Sequence, residues 1–143
     1  MGSYFSTYKE DVKKLKPMYI NKILIVSYSK RIKERIQKYL YYTSLPVQIY
    51  HVDTFGACLQ MIDDHIGINL IILDASMLHI NQYKLIEELR KNSNYDKLIL
   101  AVLPFRNTSK IEKYLKAGAN DILTHDFTYL DYKQSLNDNG YRL

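Results

Sequence analysis

The sequence predicts an α/β domain, a single (βα)5 unit whose five strands form one doubly wound parallel sheet. Two observations carry that prediction. Short apolar runs rich in β-branched residues recur at Ile23-Leu24-Ile25-Val26, Leu70-Ile71-Ile72-Leu73 and Leu98 to Leu103. Such runs lack the polar alternation of a sheet with one wet face, so both of their faces are expected to be covered. The stretches between them carry apolar residues at intervals of three and four, the period of a helix with one buried stripe. Strands alternating with helices give a parallel sheet with helices on both faces, joined by right-handed crossovers.

Residues 1–21 read as a polar, basic leader. Within it Thr7-Tyr8-Lys9-Glu10 has the form of a capping box, Tyr8, Val12 and Leu15 follow at helical spacing, and Pro17 would stop that short helix. A frayed end is the alternative. The domain proper is expected over 22–136. Lys22 to Val26 is its first strand, and Lys30 to Tyr42 a helix striped by Ile32, Ile36 and Leu40. Pro46 precedes the alternating strand Val47 to Val52. Asp53 or Thr54 then caps a helix carrying Phe55, Leu59 and Ile62. The third strand, Leu70 to Leu73, ends in Asp74. Tyr83, Leu85, Ile86 and Leu89 mark the next helix, and Leu98 to Leu103 is the fourth strand. Ser109-Lys110-Ile111-Glu112 reads as the capping box of a helix closed by Gly118. Ala119 to Thr124 holds the fifth strand. Tyr129, Leu130, Tyr132 and Leu136 make a short last helix, and 137–143 read as a turn-like tail or a truncated helix.

Composition narrows the function classes. At 143 residues the chain is one domain's worth, and 47% apolar with 24% charged residues is an ordinary globular balance. No apolar run approaches the roughly 18 residues that span a bilayer, and the N-terminus has no apolar core of a secretory signal. One cysteine, Cys58, excludes an internal disulfide and fits a reducing compartment, so a cytoplasmic location is expected. The net charge is +5, but residues 1–22 hold five lysines against Glu10 and Asp11. That leaves little excess for a basic face on the fold, and no nucleic-acid or membrane partner is expected. The four histidines, His51, His65, His79 and His125, lack a zinc spacing, and Asp63-Asp64-His65 reads as a helix end. Cys58, on a helix with no evident base, reads as a buried thiol. Neither common Gly-rich phosphate loop nor a Ser/His/Asp or paired-carboxylate arrangement is present, so no enzyme is expected.

Three segments resemble the receiver domain of bacterial two-component response regulators, in matching order and spacing from about Lys22 to Phe127. They are Lys22-Ile23-Leu24-Ile25-Val26, Leu70-Ile71-Ile72-Leu73-Asp74 and Ala117-Gly118-Ala119-Asn120-Asp121-Ile122-Leu123-Thr124. The last is the most specific and leads, in that family, into a lysine-proline pair. The resemblance implies a flavodoxin-like strand order, 2-1-3-4-5, with a crevice beyond the ends of the first and third strands. Ser27, Tyr28 and Asp74 would meet there. It also implies a protein that accepts a phosphoryl group from a histidine kinase on Asp74, aided by Mg²⁺ on an acidic pair.

The chain departs from that pattern at nearly every chemical position. Ser27 and Tyr28 replace the acidic pair, and a hard cation wants carboxylate oxygens. Leu103 stands at the Ser/Thr position, His125 at the lysine, Asp126 at the following proline, and Ile122 at the aromatic switch. Leu78 and Gln82 replace the usual proline and glycine after the acceptor. Asp74 alone remains, and the expectation is a strand-end residue rather than a working phosphoacceptor. If His125 lies beside Asp74, its cationic form would imitate the missing lysine in a pH-sensitive way.

Three functions follow as expectations. The first is a degenerate receiver acting as a phosphorylation-independent interaction module. Its partner would be a histidine kinase, an effector domain or a second copy, met through Tyr114, Ile122, Tyr129, Leu130 and Tyr132. The second is a phosphoacceptor on Asp74, the only reading that calls for Mg²⁺. The third is a small-molecule site in the crevice.

Overall fold

A computed structural model of the chain describes residues 18–40, 46–76 and 81–142. The leader helix expected over Tyr8 to Leu15, and Leu78, lie outside the described residues. In chain order the elements are β1 (Met18–Tyr19), β2 (Lys22–Val26), α1 (Arg31–Tyr39), β3 (Gln48–Val52), α2 (Phe55–Asp63) and β4 (Leu70–Asp74). They continue with α3 (Gln82–Lys91), β5 (Leu98–Leu103), α4 (Thr108–Ala117), β6 (Asp121–Thr124), α5 (Tyr129–Asp138) and β7 (Tyr141–Arg142). The central sheet runs β3-β2-β4-β5-β6 and every pairing in it is parallel. Counting only these five strands, that is the expected order 2-1-3-4-5.

Side chains of successive strand residues point to opposite faces, and two core layers result. Leu24, Val26, Ile71, Leu73, Ile99, Ala101 and Leu103 face α2, α3 and α4, meeting Cys58, Leu85, Ile86, Leu89 and Tyr114. Ile23, Ile25, Leu70, Ile72, Leu98, Leu100 and Val102 face α1 and α5, meeting Ile32, Ile36, Tyr132 and Leu136. Every residue of β4 and β5 is buried. Each buried Leu or Ile contributes about 1.5–3 kcal/mol through removal from water, so the middle of the sheet is the most stable part of the molecule. Cys58 is buried on α2, and burial pushes its thiol pKa up to about 12.

Three boundaries differ from the sequence reading. Met18–Tyr19, inside the stretch set apart as a leader, pairs in parallel with Tyr141–Arg142 from the expected tail. Paired strands therefore lie on both sides of the span 22–136, in a two-stranded sheet of their own. Two-residue strands carry no period, so the pattern could not show them. α4 is capped not through Ser109 but by Asn107, whose side chain accepts from the Lys110 N–H at 3.1 Å. The last helix runs on to Asp138 behind a full capping box, Thr128 with Asp131. Thr54, one of the two expected caps of α2, accepts from Ala57 N–H at 3.1 Å.

Candidate functional site

Two of the strand order's consequences meet at the carboxyl end of the sheet. β2 and β4 are neighbours, so Ser27, just past β2, faces Asp74, the last residue of β4. The Ser27 hydroxyl donates to Asp74 Oδ2 at 2.7 Å. Beyond β6, His125 turns back over the sheet, its N–H bonded to Leu103 O at 2.9 Å. Its Nε2 lies 3.0 Å from Asp74 Oδ1. An ionised carboxylate only accepts, so this nitrogen carries a proton. Ser76 donates twice more to Oδ1, from its N–H at 3.0 Å and its hydroxyl at 2.6 Å.

Asp74 thus accepts four hydrogen bonds from three residues and is only 4% exposed. Three of the donors converge on Oδ1 and one, Ser27, reaches Oδ2. Burial pushes the Asp74 carboxyl pKa up. The hydrogen bonds from Ser76, Ser27 and His125 outweigh it and hold the carboxyl below the ordinary aspartate range. The network extends one residue further: His51 Nε2 sits 2.9 Å from the carbonyl oxygen of Ser27, which fixes that loop from β3.

Above this network lies a cavity of about 210 Å³ lined by Ser29, Arg31, Ile32, Arg35, Asp74, Ser76 and His125. Arg35 reaches across from α1. Its Nη1 donates to the carbonyl oxygen of His125 and lies 3.5 Å from that of Phe127, while its guanidinium sits 5.0 Å from the Phe127 ring centre. The Tyr39 hydroxyl donates to Phe127 O at 2.8 Å.

Mg²⁺ does not fit this donor set. Magnesium asks for near-octahedral oxygen ligands with carboxylate character. At the acidic-pair positions the Ser27 hydroxyl is committed to Asp74 and Tyr28 is 56% exposed. Two guanidinium groups line the cavity, and no group of three or more His, Cys, Asp or Glu gathers among the described residues.

Of the remaining residues singled out in the sequence, Leu103 is buried in the core and Ile122 is half-buried against it. Gln82, read as part of an altered loop, is a buried residue of α3 within reach of the Tyr114 hydroxyl at 3.4 Å. Two interface candidates are corrected. Tyr114 is 5% and Tyr132 1% exposed, so both pack the core instead of facing a partner. Each lies on the inward stripe of its helix, where its ring fills volume. Leu130 is 71% exposed, and Tyr129 is half-buried, edge-on to Tyr39 with ring centres 5.7 Å apart. Sequence reasoning missed Ser76, Arg31, Arg35 and His51. The Asp-x-Ser spacing, which favours a side-chain turn, was the available signal for Ser76.

No family model matches the chain, and a search of curated proteins finds no match. Solved structures do resemble it. The chemotaxis protein CheY4 of Vibrio cholerae superposes with a TM-score of 0.70 at 18% identity, covering 83% of this chain and 98% of that one. The signal receiver domain of an HD domain-containing protein from Pseudomonas fluorescens gives 0.69 at 17%, covering 83% and 93%. A DNA-binding response regulator of the LuxR family from Staphylococcus aureus gives 0.67 at 14%, covering 83% and 98%. At such identities the likeness is one of fold. The chain has the flavodoxin-like α/β fold of response regulator receiver domains.

Proposed function

We propose that this chain works as a receiver domain that signals without phosphorylation, as a regulatory module bound by a protein partner. One observation carries the reading. Asp74, the carboxylate in the acceptor position, is buried and hydrogen-bonded by Ser27, Ser76 and His125. Phosphoryl transfer rests on positioning and charge neutralisation around a free nucleophile. Here Oδ1 is held by three donors and Oδ2 by the Ser27 hydroxyl, and the donor set does not suit the metal that would neutralise the incoming charge. Binding of a histidine kinase, an effector domain or a second copy needs neither. Leu130 on α5 and Leu115 on α4 offer exposed apolar contact for it. No helix among the described residues is long and apolar enough to cross a membrane.

The test is a Mg²⁺ titration with and without beryllofluoride, followed by amide NMR. The expected result is no saturable shift around Asp74. Saturable shifts that vanish in Asp74→Asn would overturn the reading in favour of a phosphoacceptor.

A further inference from the structure

The cavity above Asp74 is built for charge of a sign opposite to a metal ion. Arg31 and Arg35 stand one helical turn apart on α1, the spacing that places two side chains on one face, and both line the cavity. Among the described residues the ion pairs are Lys91–Glu87 and His125–Asp74, so neither arginine is neutralised by a carboxylate. Asp126 does not take that role. Its exposed carboxyl is held below the ordinary range first by the Thr124 hydroxyl, and least by the Arg35 charge. Asp74 does not take it either, because its partners are Ser27, Ser76 and His125.

Arg35 is also held in place. Its bond to the His125 carbonyl and its seat over the Phe127 ring use Nη1 and one face of the guanidinium. Nε and Nη2 have no partner among the described residues. An anchored guanidinium with a free edge matches two phosphate oxygens at low entropic cost. The Ser29 hydroxyl accepts from the Arg31 N–H at 3.1 Å, which leaves its own hydrogen to donate.

We propose that this crevice is a metal-independent, non-covalent site for a small phosphate monoester, gripped by Arg31 and Arg35 with Ser29 beside them. Size sets the class. Pockets for drug-sized ligands run to roughly 300–1,000 Å³. A cavity of about 210 Å³ suits a phosphate on a short carbon skeleton and not a nucleotide. Ile32, buried in the lining, gives such a skeleton an apolar wall. Occupancy would brace α1 against the loop carrying His125, and so couple the ligand to the α5 face where a partner is proposed. The inference rests on the reading of Asp74 as occupied and metal-free.

The experiment is amide NMR and calorimetry on the whole chain in chelator-treated buffer, with glycerol 3-phosphate and inorganic phosphate as separate probes. Saturable shifts at Ser29, Arg31, Arg35 and Ser76 with glycerol 3-phosphate are expected, with affinity falling at least about tenfold in Arg31→Gln. Arg31 is exposed, so that variant should fold, and Arg31→Lys should restore part of the loss. Equal or tighter binding of inorganic phosphate would overturn the monoester assignment in favour of the free ion. Shifts unchanged in Arg31→Gln, or no saturable shift with or without Mg²⁺, would overturn the site and leave the interaction module standing. Binding that appears only when Mg²⁺ is added would overturn both.

Discussion

The two ends of the central sheet use polar side chains in different ways. At the amino end they stitch backbone. Asn69 Oδ1 accepts from the N–H groups of Asn21 and Lys22, both at 3.2 Å, and its Nδ2 donates to Tyr19 O at 2.8 Å. Asn120 Oδ1 accepts from Ile99 N–H at 2.9 Å. Arg90 clamps the carbonyls of Gly118, Tyr95 and Lys97 and the Asn120 side chain, at 2.7–3.0 Å. At the carboxyl end the polar side chains converge on one carboxylate. The first arrangement satisfies exposed and part-buried backbone groups around the strand starts. The second concentrates charge and leaves a cavity. One end holds the loops of the fold, and the other gathers its donors around Asp74, whose carboxyl they hold below the ordinary aspartate range.

The largest effect should come from the amino end. Arg90→Ala removes the donor for three carbonyls at once, and a loss of about 3 kcal/mol is expected in urea unfolding. A loss below about 1 kcal/mol would mean that water replaces the clamp and that the amino end does not depend on it. Next is Gly118→Ala. Gly118 has φ +125°, and an added Cβ would lie 2.7 Å from Arg90 Cγ. Strain and displacement of the clamp together should cost about 2 kcal/mol. The penalty should shrink when Arg90 is already alanine, because the two residues share the contact. Additive losses would break that link.

The smallest effect is the one that depends on conditions. The Asp74 carboxyl pKa is lowered in the folded chain, so its stabilisation is complete above the unfolded value, about 3.9. It is lost as pH falls through the folded value. Asp74→Asn should therefore cost about 1.5 kcal/mol near pH 7, and the gap from the wild type should close as the solution is acidified below about pH 4. A gap that widens on acidification would reverse the sign assigned to the network. Arg90→Ala should show no such closing.

The sequence revealed the carboxyl end more readily than the amino end. β2, β4 and β5 are uninterrupted apolar runs, and a parallel strand buried on both faces has no other signature. Their order then brings Ser27 beside Asp74. His125 meets Asp74 because both follow the last residues of strands in one sheet, a consequence of topology rather than of local pattern. Ser76 and Arg35 were less visible. A serine two residues past an aspartate is common in turns, and an arginine on the polar side of a helix gives no sign that a carbonyl 90 residues further along the chain will be within its reach. Arg90 was hidden in the same way, as an unremarkable last-turn cation. Tyr114 and Tyr132 were misread because tyrosine suits both an interface and a core. The helical phase of Tyr132, four residues before the buried Leu136, favoured the core.

Cys58 turns the middle of this molecule into its own clock. The thiolate is the form that reacts with alkylating reagents, and a fully buried thiol with its pKa near 12 offers almost none. Labelling must wait until α2 lifts from the sheet. With a single cysteine in the chain, every labelled molecule records one such opening. The dependence of that rate on phosphate, pH or a bound partner would report how events at the crevice change the lifetime of the closed core.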